Sequence, residues 1–117
     1  MSRTEGNNIR NILFICSGNR DRSPTAEKIW EKEESLSVRS AGTSKDAVRE
    51  VTIEDVQWAD IIFVMEKKHE ERMITKFTRA IKYKEMHVLD IHNDYKFMDP
   101  ELVKILKSKI SEILSLS

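Results

Sequence analysis

Apolar side chains gather in two short unbroken runs, Ile12-Leu13-Phe14-Ile15 and Ile61-Ile62-Phe63-Val64-Met65, with no polar residue alternating through either. Runs of this kind suit strands covered on both faces, as in the interior of a parallel sheet. The first predicts a strand from Ile9 or Asn11 to Cys16, and the second a strand that begins after Asp60. Two weaker strands are read at Ser37-Val38-Arg39-Ser40, closed by Ala41-Gly42-Thr43, and at His87-Val88-Leu89-Asp90. Between them the period changes. Ser23-Pro24 reads as an N-cap with proline at the first helical position, and Ala26, Ile29 and Trp30 recur behind it, which predicts a helix over 24–33. A short helix is expected over Thr52 to Trp58. A solvated amphipathic helix is expected over Glu66 to Phe77, resting on Met73, Ile74 and Phe77. A closing helix over Pro100 to Leu114 carries Leu102, Val103, Leu106, Ile110, Ile113 and Leu114 on one face. Residues 1–9 are polar and read as a frayed lead-in.

Strands alternating with helices imply an α/β fold. The expectation is a three-layer α/β/α single domain over 1–117, with a small four-stranded parallel sheet in the flavodoxin-like order 2-1-3-4. Ligands in such folds sit beyond the carboxyl ends of the strands, and Cys16 ends the first strand. Composition narrows the ligand. The 20 Lys and Arg balance the 20 Asp and Glu, so no global field favours nucleic acid or an anionic membrane, and any attraction for an anion is local. No apolar run approaches the roughly 18 residues of a membrane span, and MSRTEGNNIR has no signal-peptide pattern, so a cytoplasmic location is expected. Cys16 is the only cysteine. It fits a reducing compartment and excludes both an intrachain disulfide and a multi-cysteine metal site. His69, His87 and His92 are not spaced as ligands on one helix and are assigned surface or loop roles. Neither a metal nor a cofactor is expected. Trp30 and Trp58 read as core, and the charges from Glu66 to Arg72 as a wet helix face.

The chemistry concentrates in Cys16-Ser17-Gly18-Asn19-Arg20-Asp21-Arg22-Ser23-Pro24, a loop between the first strand and a helix. A turn of five residues wrapping onto a helix N-terminus aims successive N–H groups inward, a concavity for a tetrahedral oxyanion built from Ser17, Gly18, Asn19, Arg20, Asp21 and Arg22. Gly18 and Asn19 tolerate the positive φ such a wrap needs. Arg22 adds a planar fork of donors for two oxygens, and the same positive surroundings favour an ionised Cys16 sulfur as nucleophile. The bland alternative is a buried structural cysteine at a strand end. A bare Cys-x5-Arg spacing is weak; the strand before it, Gly and Asn within it, and Ser-Pro and a helix after it carry the reading.

Phe14-Ile15-Cys16-Ser17-Gly18-Asn19 and Arg22-Ser23-Pro24-Thr25-Ala26-Glu27 resemble the signature of low-molecular-weight protein tyrosine phosphatases, in particular a compact bacterial subgroup ending in Met-Asp-Pro-Glu-Leu. Ser40-Ala41-Gly42-Thr43, Ala59 to Met65 and Asp99-Pro100 match further segments in order. The resemblance implies metal-free hydrolysis through a phosphocysteine: Cys16 attacks, Arg22 and the loop N–H groups hold the equatorial oxygens, and Asp99 acts as general acid. It also implies that Ser23 donates to the sulfur and that Asn19 holds the loop's shape. The implied partners are a phosphorylated protein, with phosphotyrosine foremost, or a small aryl phosphate, and phosphate, vanadate and sulfate as inhibitory oxyanions.

The chain departs from the pattern at two positions. Glu101 stands where family members carry an aromatic residue after Asp-Pro, which leaves tyrosine specificity open, with Tyr95 or Phe97 as the other aromatics able to flank a pocket. Asp21 stands where many members carry a second cysteine; it is expected at the rim or paired with Arg20 or Arg22. Arg20 either favours acidic substrates or is simply solvated. Asp99 also has an ordinary capping reading, and Asp94 and then Asp90 are the rival acids. Two other functions remain open: an arsenate-reductase-like redox enzyme using an external thiol, and a non-catalytic module that captures phosphorylated ligands.

Overall fold

A computed structural model describes residues 9–116; the expected lead-in lies, apart from Ile9, outside the described residues. The elements run β1 (Arg10–Cys16), α1 (Arg22–Trp30), β2 (Leu36–Gly42), α2 (Ile53–Trp58), β3 (Ile61–Val64), α3 (Lys67–Lys76), α4 (Thr78–Ile81), β4 (Glu85–Val88) and α5 (Pro100–Leu114). The four strands form one sheet in the order β2-β1-β3-β4, all parallel. The expected fold class and strand order are those observed.

The two unbroken apolar runs form the central strands because each of their side chains has a helical layer to meet. Ile12, Phe14, Ile61 and Phe63 point to the face covered by α1 and α5, where Ala26, Trp30, Leu102, Leu106, Ile110 and Leu114 close over them. Leu13, Ile15, Ile62 and Val64 point to the opposite face, where Val56 of α2, Met73 of α3, Ile81 of α4 and Phe77 between α3 and α4 complete the second core. Burying a side chain of this size is worth about 1.5–3 kcal/mol, so neither face of β1 or β3 accepts a polar residue cheaply. Phe14 stacks with both Trp30 and Phe63 at 6.1 and 5.8 Å between ring centroids, tying α1 to the sheet.

Several boundaries differ from the sequence reading. α1 begins at Arg22 rather than Pro24, so Ser23 lies inside the first turn; the N-cap position belongs to Asp21, whose side chain makes no capping bond. β4 spans Glu85–Val88 rather than 87–90, and the chain beyond it stays on the sheet edge through Leu89 N–H to Val64 O (2.9 Å) and Ile91 N–H to Met65 O (2.8 Å). The short α4 is not among the expected elements, since the preceding helical pattern reads as ending at Phe77. α2 is closed by a capping box in which Thr52 and Asp55 each accept the other's backbone N–H.

The carboxyl end of β2 shapes the loop that leaves β1. A Cβ on Gly42 would lie 2.4 Å from Ser17 O, 2.7 Å from the Ala47 Cβ and 3.1 Å from Asn19 N. The Cys16–Arg22 loop therefore rests directly on a glycine. Gly42→Ala is expected to lower stability by about 1–3 kcal/mol and to displace the loop, read as a lower urea midpoint.

Candidate active site

The loop after β1 keeps its N–H groups free by spending its carbonyls outward. Thr43 N–H bonds to Cys16 O, Ser44 N–H to Ser17 O and Val48 N–H to Gly18 O, each at 3.0 Å. Among the described residues, no hydrogen bond is donated by the backbone N–H groups of Ser17 to Asp21. Asn19 takes the one left-handed conformation in the loop, with φ 55°. Gly18 has no positive φ, contrary to expectation; Asn19 alone makes the reversal, and Gly18 underlies the Arg20 side chain, whose Nε would lie 3.6 Å from a Cβ there.

This loop walls a cavity of about 220 Å³ lined by Cys16, Ser17, Gly18, Arg20, Asp21, Arg22 and Asn93. Cys16 and Arg22 are each only 3% exposed, so sulfur and guanidinium share a recessed floor. Behind the sulfur runs a polar relay. Cys16 Sγ lies 2.9 Å from Ser23 Oγ; Asn19 Nδ2 donates to Ser23 Oγ and to Ser40 Oγ, both at 3.0 Å; and Ser40 Oγ donates to Glu27 at 2.5 Å. Both amide protons of Asn19 are thus engaged, and the Ser23 hydroxyl, which accepts one of them, lies within donating distance of both the sulfur and the Ala41 carbonyl, the latter at 3.4 Å.

Arg22 is fixed through one nitrogen. Its Nη1 donates to the Glu66 carboxylate and to Ile91 O at 2.7 Å, which uses both protons there. The Nε and Nη2 edge, the side that meets two oxygens at once, has no protein acceptor among the described residues. Burial pushes the Glu66 carboxyl up, but the Arg22 hydrogen bond and charge outweigh it, and its pKa lies below the ordinary value.

His69 corrects the sequence reading. It is not a surface residue but 0% exposed, with Nε2 2.8 Å from Ser17 Oγ and Nδ1 accepting the Glu66 N–H at 3.0 Å. Burial first, then the nearby Arg22 cation, lowers its pKa to about 4. The stretch read as a wet helix face thus sends its first and fourth residues, Glu66 and His69, into the site. Their signal was positional: they lie directly after β3, whose carboxyl end adjoins that of β1. His87 stacks on Phe63 at 5.4 Å and pairs with Glu85 at the sheet edge, and His92 is exposed.

Asp99 is half-buried and caps α5, its Oδ1 accepting the Glu101 N–H at 2.9 Å. Its loop meets the cavity wall through Asn93, which the sequence did not single out, rather than through Asp99. Asp21 pairs with neither Arg20 nor Arg22: its Oδ1 accepts the Phe97 N–H at 2.9 Å, and Thr25 Oγ1 accepts the Met98 N–H at 2.9 Å. The position that carries a cysteine in the family pattern here ties the Asp99 loop to α1. Phe97 is exposed, Tyr95 packs partly against the α1/α5 core, Arg20 is exposed at the mouth, and Asp90 and Asp94 face solvent.

The chain as a whole is similar in fold to several solved structures. The tyrosine phosphatase Wzb from Escherichia coli K30, in complex with phosphate, superposes with a TM-score of 0.74 at 20% identity, covering 92% of this chain and 97% of that one. SP-PTP, a low molecular weight protein tyrosine phosphatase from Streptococcus pyogenes, gives 0.70 at 16% identity over 92% of each chain. The YwlE arginine phosphatase from Geobacillus stearothermophilus gives 0.66 at 21% identity, over 91% of this chain and 93% of that one. The fold is that of the low-molecular-weight protein tyrosine phosphatases. No protein-family model matches the sequence, and no curated protein sequence does.

The buried histidine makes stability sensitive to acid. Its folded pKa lies below the unfolded value, so the unfolded chain binds the extra proton. Stability is complete above about pH 6.5 and falls as pH drops toward about 4. The loss across that window is on the order of 2–3 kcal/mol. Asp55 and Glu66, held below their ordinary values, lose their pairs only further down. Thermal melts of His69→Gln should therefore show a flatter decline between about pH 6.5 and 4.5 than the parent.

Proposed function

We propose that this protein is a cysteine-dependent phosphatase that hydrolyses phosphomonoesters through a phosphocysteine, with phosphotyrosine in proteins as the first candidate substrate. The observation that carries the reading is the shared floor of one small cavity: the Cys16 sulfur, the free edge of the Arg22 guanidinium and a ring of uncommitted N–H groups. A cavity of about 220 Å³ has room for a phosphoryl group, with Arg20 and Asn93 among the residues that line it. The phosphate held by Wzb, on the same fold, supports an oxyanion ligand. Among the described residues, no helix is long and apolar enough to cross a membrane, and the lone thiol suits a reducing cytoplasm.

In the first step the Cys16 thiolate attacks phosphorus, the S–P bond forms, and the P–O bond to the leaving group breaks. Asp99 gives its proton to the departing oxygen. The equatorial oxygens gain charge and are held by the loop N–H groups and by Arg22 Nε and Nη2, strongest in the transition state. In the second step the Asp99 carboxylate takes a proton from water, the oxygen attacks the phosphocysteine, and phosphate leaves a thiolate that receives the Ser23 hydrogen bond. The fold serves an arginine phosphatase as well as tyrosine phosphatases, and Glu101 supplies no aromatic wall, so the leaving group is the part of the reading that assay must decide.

Cys16→Ser is expected to abolish hydrolysis of p-nitrophenyl phosphate while retaining phosphate or vanadate binding; full activity in this variant would overturn the mechanism. Asp99→Asn keeps a good helix cap, so its melting temperature should match the parent while kcat falls about a hundredfold. The loss should be larger for phenyl phosphate, whose leaving group is poorer, than for p-nitrophenyl phosphate; equal losses would assign the acid elsewhere. Parallel assays on phosphotyrosine and phosphoarginine peptides test the substrate.

A further inference from the structure

The Ser17–His69 pair, 2.8 Å apart, has the outline of a serine nucleophile and its base, and the proton positions reject that role. His69 Nδ1 accepts the Glu66 backbone N–H. An N–H can be accepted only by a ring nitrogen that carries no proton, so in the neutral ring the proton sits on Nε2. Nε2–H then donates to Ser17 Oγ and cannot take the Ser17 proton. A second proton on the ring would set Nδ1–H against the Glu66 N–H, donor against donor, inside a fully buried site.

We infer that His69 is a positioning residue that turns the Ser17 hydroxyl into a further oxyanion donor. With Ser17 Oγ accepting from the ring, its single proton is free, and Ser17 lines the cavity beside Cys16. Glu66, at the same helix start, holds Arg22 Nη1. One turn of backbone at the head of α3 thus orients both the first residue of the cradle and its guanidinium, Glu66 by its carboxylate and His69 by its ring. This rests on the phosphoryl-transfer reading for its consequence, but the ring's proton position and the binding of phosphate are independent of turnover.

The test has three parts. In the nitrogen NMR spectrum of the wild-type protein, His69 should show a protonated Nε2 and a bare Nδ1 throughout about pH 5–8; a ring protonated on Nδ1, or one titrating near its ordinary value, overturns the inference. Ser17→Ala and His69→Leu should each weaken inorganic phosphate binding and lower kcat/KM about tenfold or more, and the double variant should lose little beyond either single one. His69→Gln, which can present an N–H toward Ser17 and a carbonyl toward the Glu66 N–H, should recover most of the loss. Phosphate binding unchanged in Ser17→Ala, multiplying effects in the double variant, or no recovery with Gln would each refute it. If His69→Leu does not fold, the NMR result and Ser17→Ala decide. A wild-type protein that binds phosphate but turns over nothing sinks the phosphatase reading alone.

Discussion

A backbone that turns its N–H groups inward to make an anion cradle turns its carbonyls outward, and those carbonyls must be paired if they are buried. The Cys16–Arg22 loop meets this demand against the segment that follows β2. Thr43, Ser44 and Val48 donate to the carbonyls of Cys16, Ser17 and Gly18, and Gly42 lets the two backbones approach. The same segment is anchored by Arg49, whose guanidinium reaches Ser40 O and the buried Asp55 at the head of α2. The stretch from 42 to 58 is therefore less a connection than a mould for the loop.

A guanidinium buried on the floor of a cavity is a charge that the surrounding protein must manage. Arg22 resolves this by facing Glu66 and the Ile91 carbonyl through a single nitrogen, so its charge is compensated while two donors stay in line with the cradle. An unpaired buried guanidinium would carry a desolvation penalty of several kcal/mol. The sulfur is served differently: a chain of hydroxyl and amide groups runs from Glu27 through Ser40 and Asn19 to Ser23, whose hydroxyl lies against Sγ. Charge is balanced on one side of the cavity, and a hydrogen-bonded chain backs the other.

Asp21 joins the loop to a distant part of the chain. A carboxylate next to an anion site would oppose the ligand, and here it is drawn instead onto the Phe97 N–H. That bond and the Met98–Thr25 bond span the groove between α1 and the segment leading to Asp99. The left-handed residues Asp90 and Met98, φ 59° and 63°, bracket that segment, so its path is held at both ends.

Local pattern by itself determined the sheet and most of the helices, because unbroken apolar runs demand two covered faces, and it singled out Cys16 to Pro24 as one continuous loop between a strand and a helix. It misplaced the start of α1, because Ser-Pro makes as good a cap signal as a first turn, and it took His69 for a surface residue, because a polar helix start looks the same whether it meets water or a loop. Only tertiary structure decided what holds the cradle in place. Arg22 meets Glu66 44 residues on and Ile91 69 residues on, and Ser17 meets His69 across 52. Those meetings are set by the register of β1 against β3 and of β3 against β4, which places strand ends side by side in space, and no period along the chain records which ends those are.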